Sequence, residues 1–214
     1  MNITRLCLIR HGETPWNVER RLQGHTDIAL NFRGMTQATQ MAAALKNISL
    51  EFDALYTSDL KRAADTAQAI VEQFNMPAIV MSELRERHFG ALQGLSISDA
   101  PALKPEIWQA HIARDLDHGL EGGESINQFA ERVQNALALI REKHAGETVL
   151  LVSHGGTLDM MYRIASGQAL ETARIVSVPN ASLNWLTHDG KSWAVERWAD
   201  TRHLNGLALE NVDL

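Results

Sequence analysis

Apolar and polar positions along this chain switch between a period near two and a period near 3.6, and that switching predicts its elements. Residues 4–10 (TRLCLIR) form a short apolar run of the kind that makes a buried strand. Asn31 stands as an N-cap before a helical repeat running to about Asn47, with Met35, Ala38, Met41 and Leu45 on one face. A second strand falls over 53–57. Ser58 or Asp59 could cap the next helix, in which Ala63, Thr66, Ala67, Ile70 and Phe74 recur at helical spacing. Pro77 stops that helix, and 78–81 reads as a third strand. Residues 95–124, with Pro101, Pro105 and a Gly122-Gly123 pair, read as an irregular segment. Ser125 with Gln128 three residues on is a capping box, opening a helix that carries Phe129, Val133, Leu137 and Ile140. Thr148–Ser153 (TVLLVS) is the strongest strand pattern, and a helix follows from about Thr157. Residues 182–187 and 193–198 read as a closing antiparallel pair across Asp189-Gly190. Strand and helix in alternation predict an α/β domain, its largely parallel sheet covered on both faces.

Composition narrows the class without naming a chemistry. The 214 residues are 45% hydrophobic and 21% charged, which excludes extended disorder and collagen-like repeats. One Cys, Cys7, forms no internal disulfide, which fits a reducing compartment. A net charge of −6 argues against a nucleic-acid partner, and no run is apolar and long enough for a membrane helix. The first ten residues lack the apolar core of a secretory signal, so a cytoplasmic location is expected. A single domain spanning residues 1–214 is expected, with 95–124 as a short cap, acting as a monomer or homodimer.

The candidate chemistry sits at two strand ends. Arg10-His11-Gly12 follows the first strand and Ser153-His154-Gly155 follows the best later one. Open parallel sheets bind ligands where the carboxyl ends of their strands give way to loops. Chance pairing of nine His and 14 Gly gives about 0.6 His-Gly dipeptides, against three present. The third, His118-Gly119, follows no strand, so position gives the other two their weight. Arg10 adjoins His11, and Arg62 sits in the first turn of a helix. A guanidinium fork matches phosphoryl oxygens, and two of them focus anions locally. Asn17, Gln23 and Gly24 lie in the loop that follows and could complete a phosphate cradle. No G-x-S-x-G elbow, Walker loop, dinucleotide fingerprint or zinc spacing occurs, which leaves a histidine mechanism without metal.

These residues match a known pattern. Leu8-Ile9-Arg10-His11-Gly12-Glu13-Thr14 with Trp16-Asn17, then Arg21-Leu22-Gln23-Gly24, resembles the signature of the histidine phosphatase superfamily, in its phosphoglycerate mutase-like branch. The likeness continues through Ser58-Asp59-Leu60-Lys61-Arg62-Ala63-Ala64-Asp65-Thr66-Ala67, Leu84-Arg85-Glu86-Arg87-His88-Phe89-Gly90, Gly122-Gly123-Glu124-Ser125 and Ser153-His154-Gly155-Gly156, in the family's order. The resemblance implies a three-layer α/β/α fold with a mixed, mostly parallel sheet, and a phosphohistidine mechanism without metal or other cofactor. It implies that His11 takes the phosphoryl group, that Arg10, Arg62 and His154 surround it, and that Glu86 serves as acid and then base. It assigns substrate contacts to Asn17, Gln23, Gly24 and Gly155. The residues alone do not separate Glu86 from Glu83 or Glu124.

Departures from the family pattern bear on the reaction. Mutases of this family carry a longer insertion with a paired Arg that grips a second anionic group. Here 95–124 is short and offers Lys104 and Arg114 as its cations, which favours hydrolysis of a small phosphorylated metabolite over a mutase-type isomerisation in the same pocket. Trp108 and His111 either line an apolar wall of that pocket or pack the segment onto the domain. Thr157-Leu158-Asp159 lacks the Arg that some relatives place after the Gly pair. The stretch from Asp200 to Leu204 reads as structural, packing back near the site.

Overall fold

The protein is described by a computed structural model over residues 3–207. One six-stranded sheet runs through it, in the order β3-β2-β4-β1-β5-β6. Strands β1 (Thr4–Arg10), β2 (Ala54–Thr57), β3 (Ala78–Val80) and β4 (Thr148–Ser153) are mutually parallel. Strands β5 (Leu183–His188) and β6 (Trp193–Asp200) close the sheet as an antiparallel hairpin beside β1.

The period-two alternation of β1 divides the core between two faces. Leu6 and Leu8 point to one face, with Val149 and Leu151 of β4. There they meet α6 (Ile126–Lys143) and α7 (Gly155–Ser166), which contribute Phe129, Val133, Leu137, Ile140, Leu158 and Met161. Cys7 and Ile9 point to the other face, with Leu150 and Val152, against α2 (Phe32–Asn47) and α3 (Lys61–Phe74). The result is the three-layer α/β/α arrangement with a mixed, mostly parallel sheet. No described helix is long and apolar enough to cross a membrane.

Local chemistry fixes the helix starts, in places not where periodicity alone puts them. Asn31 caps α2 as expected, accepting from Gly34 N at 2.8 Å. Met35 of the expected buried face is 52% exposed, because the core stripe runs through Ala38, Met41, Ala42 and Leu45. Neither Ser58 nor Asp59 is the N-cap of α3, which is Leu60. The first free amide, on Lys61, instead donates to the Asp27 carboxylate at 2.7 Å, a cap delivered from a distant loop. Ser125 and Gln128 form the expected capping box of α6. Helix α7 begins at Gly155, earlier than the expected Thr157, with His154 as its N-cap.

The segment 95–124 is more ordered than its composition suggests. Helices α4 (Ala100–Leu103) and α5 (Pro105–Ile112) lie within it, each with a proline in its first two positions. Proline is tolerated there because those amides have no intrahelical acceptor. Leu22, Phe89, Leu92, Ala100, Trp108 and Leu120 form a small apolar cluster beneath this cap. The remaining short helix, α1 (Pro15–Val18), follows the His11 turn. At the chain's other end Leu204 is buried in the α2 and α3 layer, and His203 Nε2 donates to the carbonyl of Ala181. Ala181 N in turn donates to the Arg10 carbonyl at 3.0 Å, which ties this stretch to the strand bearing the site.

Candidate active site

Three parallel strands, β2, β4 and β1, end side by side, and each delivers a polar residue at its carboxyl end: Ser58, His154 and His11. The turns are stitched together by the backbone, with His11 N donating to Ser153 O and Ser58 N to Val152 O. His11 Nδ1 lies 2.7 Å from the Gly12 carbonyl. A carbonyl only accepts, so Nδ1 carries the proton and Nε2 keeps a lone pair. Burial, and then the charges of Arg62 and Arg10, push the His11 pKa well below 6.5, so the ring is neutral at physiological pH.

His154 packs its ring 5.2 Å from that of His11, tilted by 59°. Its Nε2 lies 2.9 Å from Ser58 Oγ, and its buried Nδ1 has no hydrogen-bond partner. Burial is again the first cause of a lowered pKa, followed by Arg62, His11 and Arg10. The two arginines are almost wholly buried. Arg10 Nη1 donates to the Val178 carbonyl at 2.5 Å. Arg62 donates from Nη1 to Thr26 O at 2.9 Å and from Nη2 to Gly24 O at 2.7 Å. Gly24 has a φ of +51°, a conformation glycine adopts at no steric cost, and the turn it makes aims its carbonyl at Arg62.

Glu86 enters the same cleft from the loop after Leu84, with both carboxylate oxygens fixed. Oε1 accepts from Arg87 N and Oε2 from Gly156 N, each at 2.8 Å. Gly156 lies in the first turn of α7, where an amide has no intrahelical acceptor and is free to hold the Glu86 side chain. A Cβ on Gly156 would stand 2.2 Å from Glu86 Oε1, so this contact needs glycine.

Arg10, His11, Gln23, Gly24, Arg62 and Glu86 line one cleft with about 720 Å³ of open space, its mouth included. Asn17, His154 and Gly155 are not among its lining residues, His154 lying against the ring of His11. Asn17 is committed to the capping box of α1, accepting from Thr14 N at 3.0 Å, and the glycine facing the cleft is Gly156. His111 lines the cleft, while Trp108 is buried in the cap cluster. Of the two cap cations, Lys104 pairs with Glu121 at 3.5 Å and Arg114 lines the cleft, joined there by Arg87 and Arg174 from outside the segment. Asn180, outside every motif of the sequence, donates from Nδ2 to His11 O at 2.9 Å. Among the described residues no group of three or more His, Cys, Asp or Glu is placed to hold a metal ion.

Comparison with known proteins shows the family. The profile of the histidine phosphatase superfamily (branch 1) matches residues 6–201. A metal-independent phosphoserine phosphatase of Arabidopsis thaliana is 37% identical over 209 residues, covering 97% of this chain and 86% of its own length. Phosphoglycerate mutase-like protein 4 of the same plant is 36% identical over 207 residues, covering 95% and 88%. Among solved structures, Bacillus stearothermophilus YhfR superposes with a TM-score of 0.86 at 30% identity, covering 94% of this chain and 99% of that one. The chain is an enzyme of the histidine phosphatase superfamily, branch 1.

Proposed function

We propose that the protein is a metal-independent phosphomonoesterase that hydrolyses a small phosphorylated metabolite through a phosphohistidine on His11. The observation that carries this reading is the His11 ring. Its Nδ1 is committed to the Gly12 carbonyl and its neutral Nε2 is left as nucleophile in a cleft lined by two buried arginines. Nε2 attacks phosphorus as the bond from phosphorus to the ester oxygen breaks, and the departing oxygen takes a proton from the Glu86 carboxyl. Water then attacks the phosphohistidine and gives its proton to the Glu86 carboxylate. The bond from phosphorus to nitrogen breaks, and neutral His11 and inorganic phosphate remain. Arg10, Arg62 and His154 hold the charge that spreads over the equatorial oxygens, which is the main demand of phosphoryl transfer. The similarity to a plant enzyme named a metal-independent phosphoserine phosphatase supports the reaction class.

Hydrolysis of p-nitrophenyl phosphate by chelator-treated protein tests this reading. Turnover should survive chelation and fall at least about 10³-fold in His11→Ala, as expected when a covalent nucleophile is lost. Unchanged turnover in that variant would overturn the mechanism.

A further inference from the structure

Glu86 moves the proton in the proposed reaction, yet it belongs to no helix or strand. It stands in the loop between the short helical turns Ser82–Leu84 and Gly90–Leu92. A carboxylate on a loop keeps a productive place only when the backbone beneath it is held. Side chains from three other parts of the chain hold that backbone. Ser153 Oγ donates to Leu84 O at 2.7 Å, and Thr157 Oγ1 to Arg85 O at 2.8 Å.

Arg132, in the second turn of α6, makes the widest grip. Its Nη1 donates to Glu83 O at 2.7 Å and to Arg85 O at 2.9 Å, and its Nη2 to Glu86 O at 3.1 Å. Its Nε and Nη2 also donate to Oε1 and Oε2 of Glu124, at 2.7 and 2.8 Å. A guanidinium has five N–H donors in one plane, and five acceptors meet them here. Glu124 extends the grip past Glu86. Its Oε2 accepts from His88 N at 2.8 Å, and its carbonyl accepts from Nε and Nη2 of Arg87 at 3.0 and 2.8 Å.

His25 closes on the same loop from the other side, its Nε2 donating to Glu86 O at 2.8 Å. The residues flanking His25 are the ones whose carbonyls hold Arg62, Gly24 O at 2.7 Å and Thr26 O at 2.9 Å. One short loop therefore touches both the buried arginine of the phosphoryl site and the backbone of the proton donor.

We infer that Arg132 and His25 are positioning residues that set the Glu86 carboxylate for proton transfer, Arg132 from α6 and His25 from the loop that holds Arg62. This inference rests on the phosphomonoesterase reading. Neither side chain lines the cleft, so both act through Glu86 rather than on the substrate.

Comparing kcat/KM for phenyl phosphate and p-nitrophenyl phosphate tests the clamp. p-Nitrophenolate leaves readily without a proton, whereas phenol leaves well only when an acid supplies one. Arg132→Gln should lower kcat/KM about 10- to 100-fold for phenyl phosphate, as for a displaced catalytic group, and less than about threefold for p-nitrophenyl phosphate. His25→Leu should show the same selective loss, and His25→Gln, whose amide can donate to the same carbonyl, should largely reverse it. Added to Glu86→Gln, either Arg132→Gln or His25→Leu should cost less than about threefold more, because the group it positions is gone. Equal losses on the two substrates, full additivity with Glu86→Gln, or unchanged phenyl phosphate turnover would overturn the inference. If Arg132→Gln does not fold, the His25 variants and their combination with Glu86→Gln decide it. Normal hydrolysis by His11→Ala, or no selective loss in Glu86→Gln alone, would overturn the underlying reading instead.

Discussion

At the floor of the cleft, Arg10, His11 and Arg62, with His154 packed against the His11 ring, are held by the chain's most regular parts, whereas Arg87, His111 and Arg114 of the far wall belong to a loop and the cap. The floor residues follow the ends of parallel strands or open a helix, and Arg10, His11 and Arg62 meet backbone carbonyls at 2.5 to 2.9 Å. The wall residues have fewer partners, and two of them are cations without a carboxylate. The contrast separates two tasks. The floor is preorganised around one invariant group, a phosphoryl, with Arg10, His11 and Arg62 each held by backbone carbonyls. The wall keeps an unsatisfied imidazole nitrogen, His111 Nδ1, among the groups that line the cleft.

Three perturbations sharpen this contrast, in falling order of effect. Arg62→Ala removes a charge from the floor and should cost about 3 to 4 kcal/mol of transition-state stabilisation, a loss of about 10²- to 10³-fold in kcat/KM for p-nitrophenyl phosphate. A loss below tenfold would mean that the floor is less committed than its geometry implies. The same variant should also raise the His11 pKa, because a neighbouring cation that disfavours the imidazolium is gone. The acid limb of kcat/KM should therefore move upward, toward the ordinary histidine range.

The second perturbation reads the wall through stability. His111 is protonated near pH 6.5 in the unfolded chain and at about 4 in the folded one, where burial and then Arg87 and Arg114 disfavour the charged ring. Between those values the unfolded state binds more protons, so the stability present above pH 6.5 is lost as pH falls toward 4. The contribution is roughly 3 kcal/mol. Denaturant titrations at pH 7 and pH 4 should show a drop smaller by about that amount in His111→Phe, and an identical drop would contradict the neutral buried ring.

The third touches the joint between floor and wall. Gly156→Ala puts a methyl group where Glu86 Oε1 lies, displacing the carboxylate without removing it. We expect kcat to fall by about tenfold to 10²-fold, the lower part of what general acid–base catalysis contributes. Thermal stability should change little, since alanine suits a helix better than glycine. Unaltered kcat would show that Glu86 is not the proton donor.

The same two regions differ in how well they can be read from sequence. His11 and His154 were legible because strand ends and glycine turns are local signals, and Arg62 because it sits in a helix's first turn. Asn17 also has a structural task that spacing alone does not reveal, since its side chain accepts from the turn three residues before it. Prolines at 101 and 105 read as breakers, although at the first turn of a helix they are starters. Arg87 stood in a recognised motif but carried no role there. Its lack of a counter-ion depends on where Glu124, Arg132 and Asp159 end up in space, and a linear pattern does not report that.

Rapid-quench trapping with phosphoryl-labelled substrate tests the central claim most directly. The account predicts an acid-labile, base-stable phosphoryl on the peptide containing His11, formed before steady state and absent from His11→Ala. Label on His154, or product formed with no labelled enzyme at any time, would contradict it.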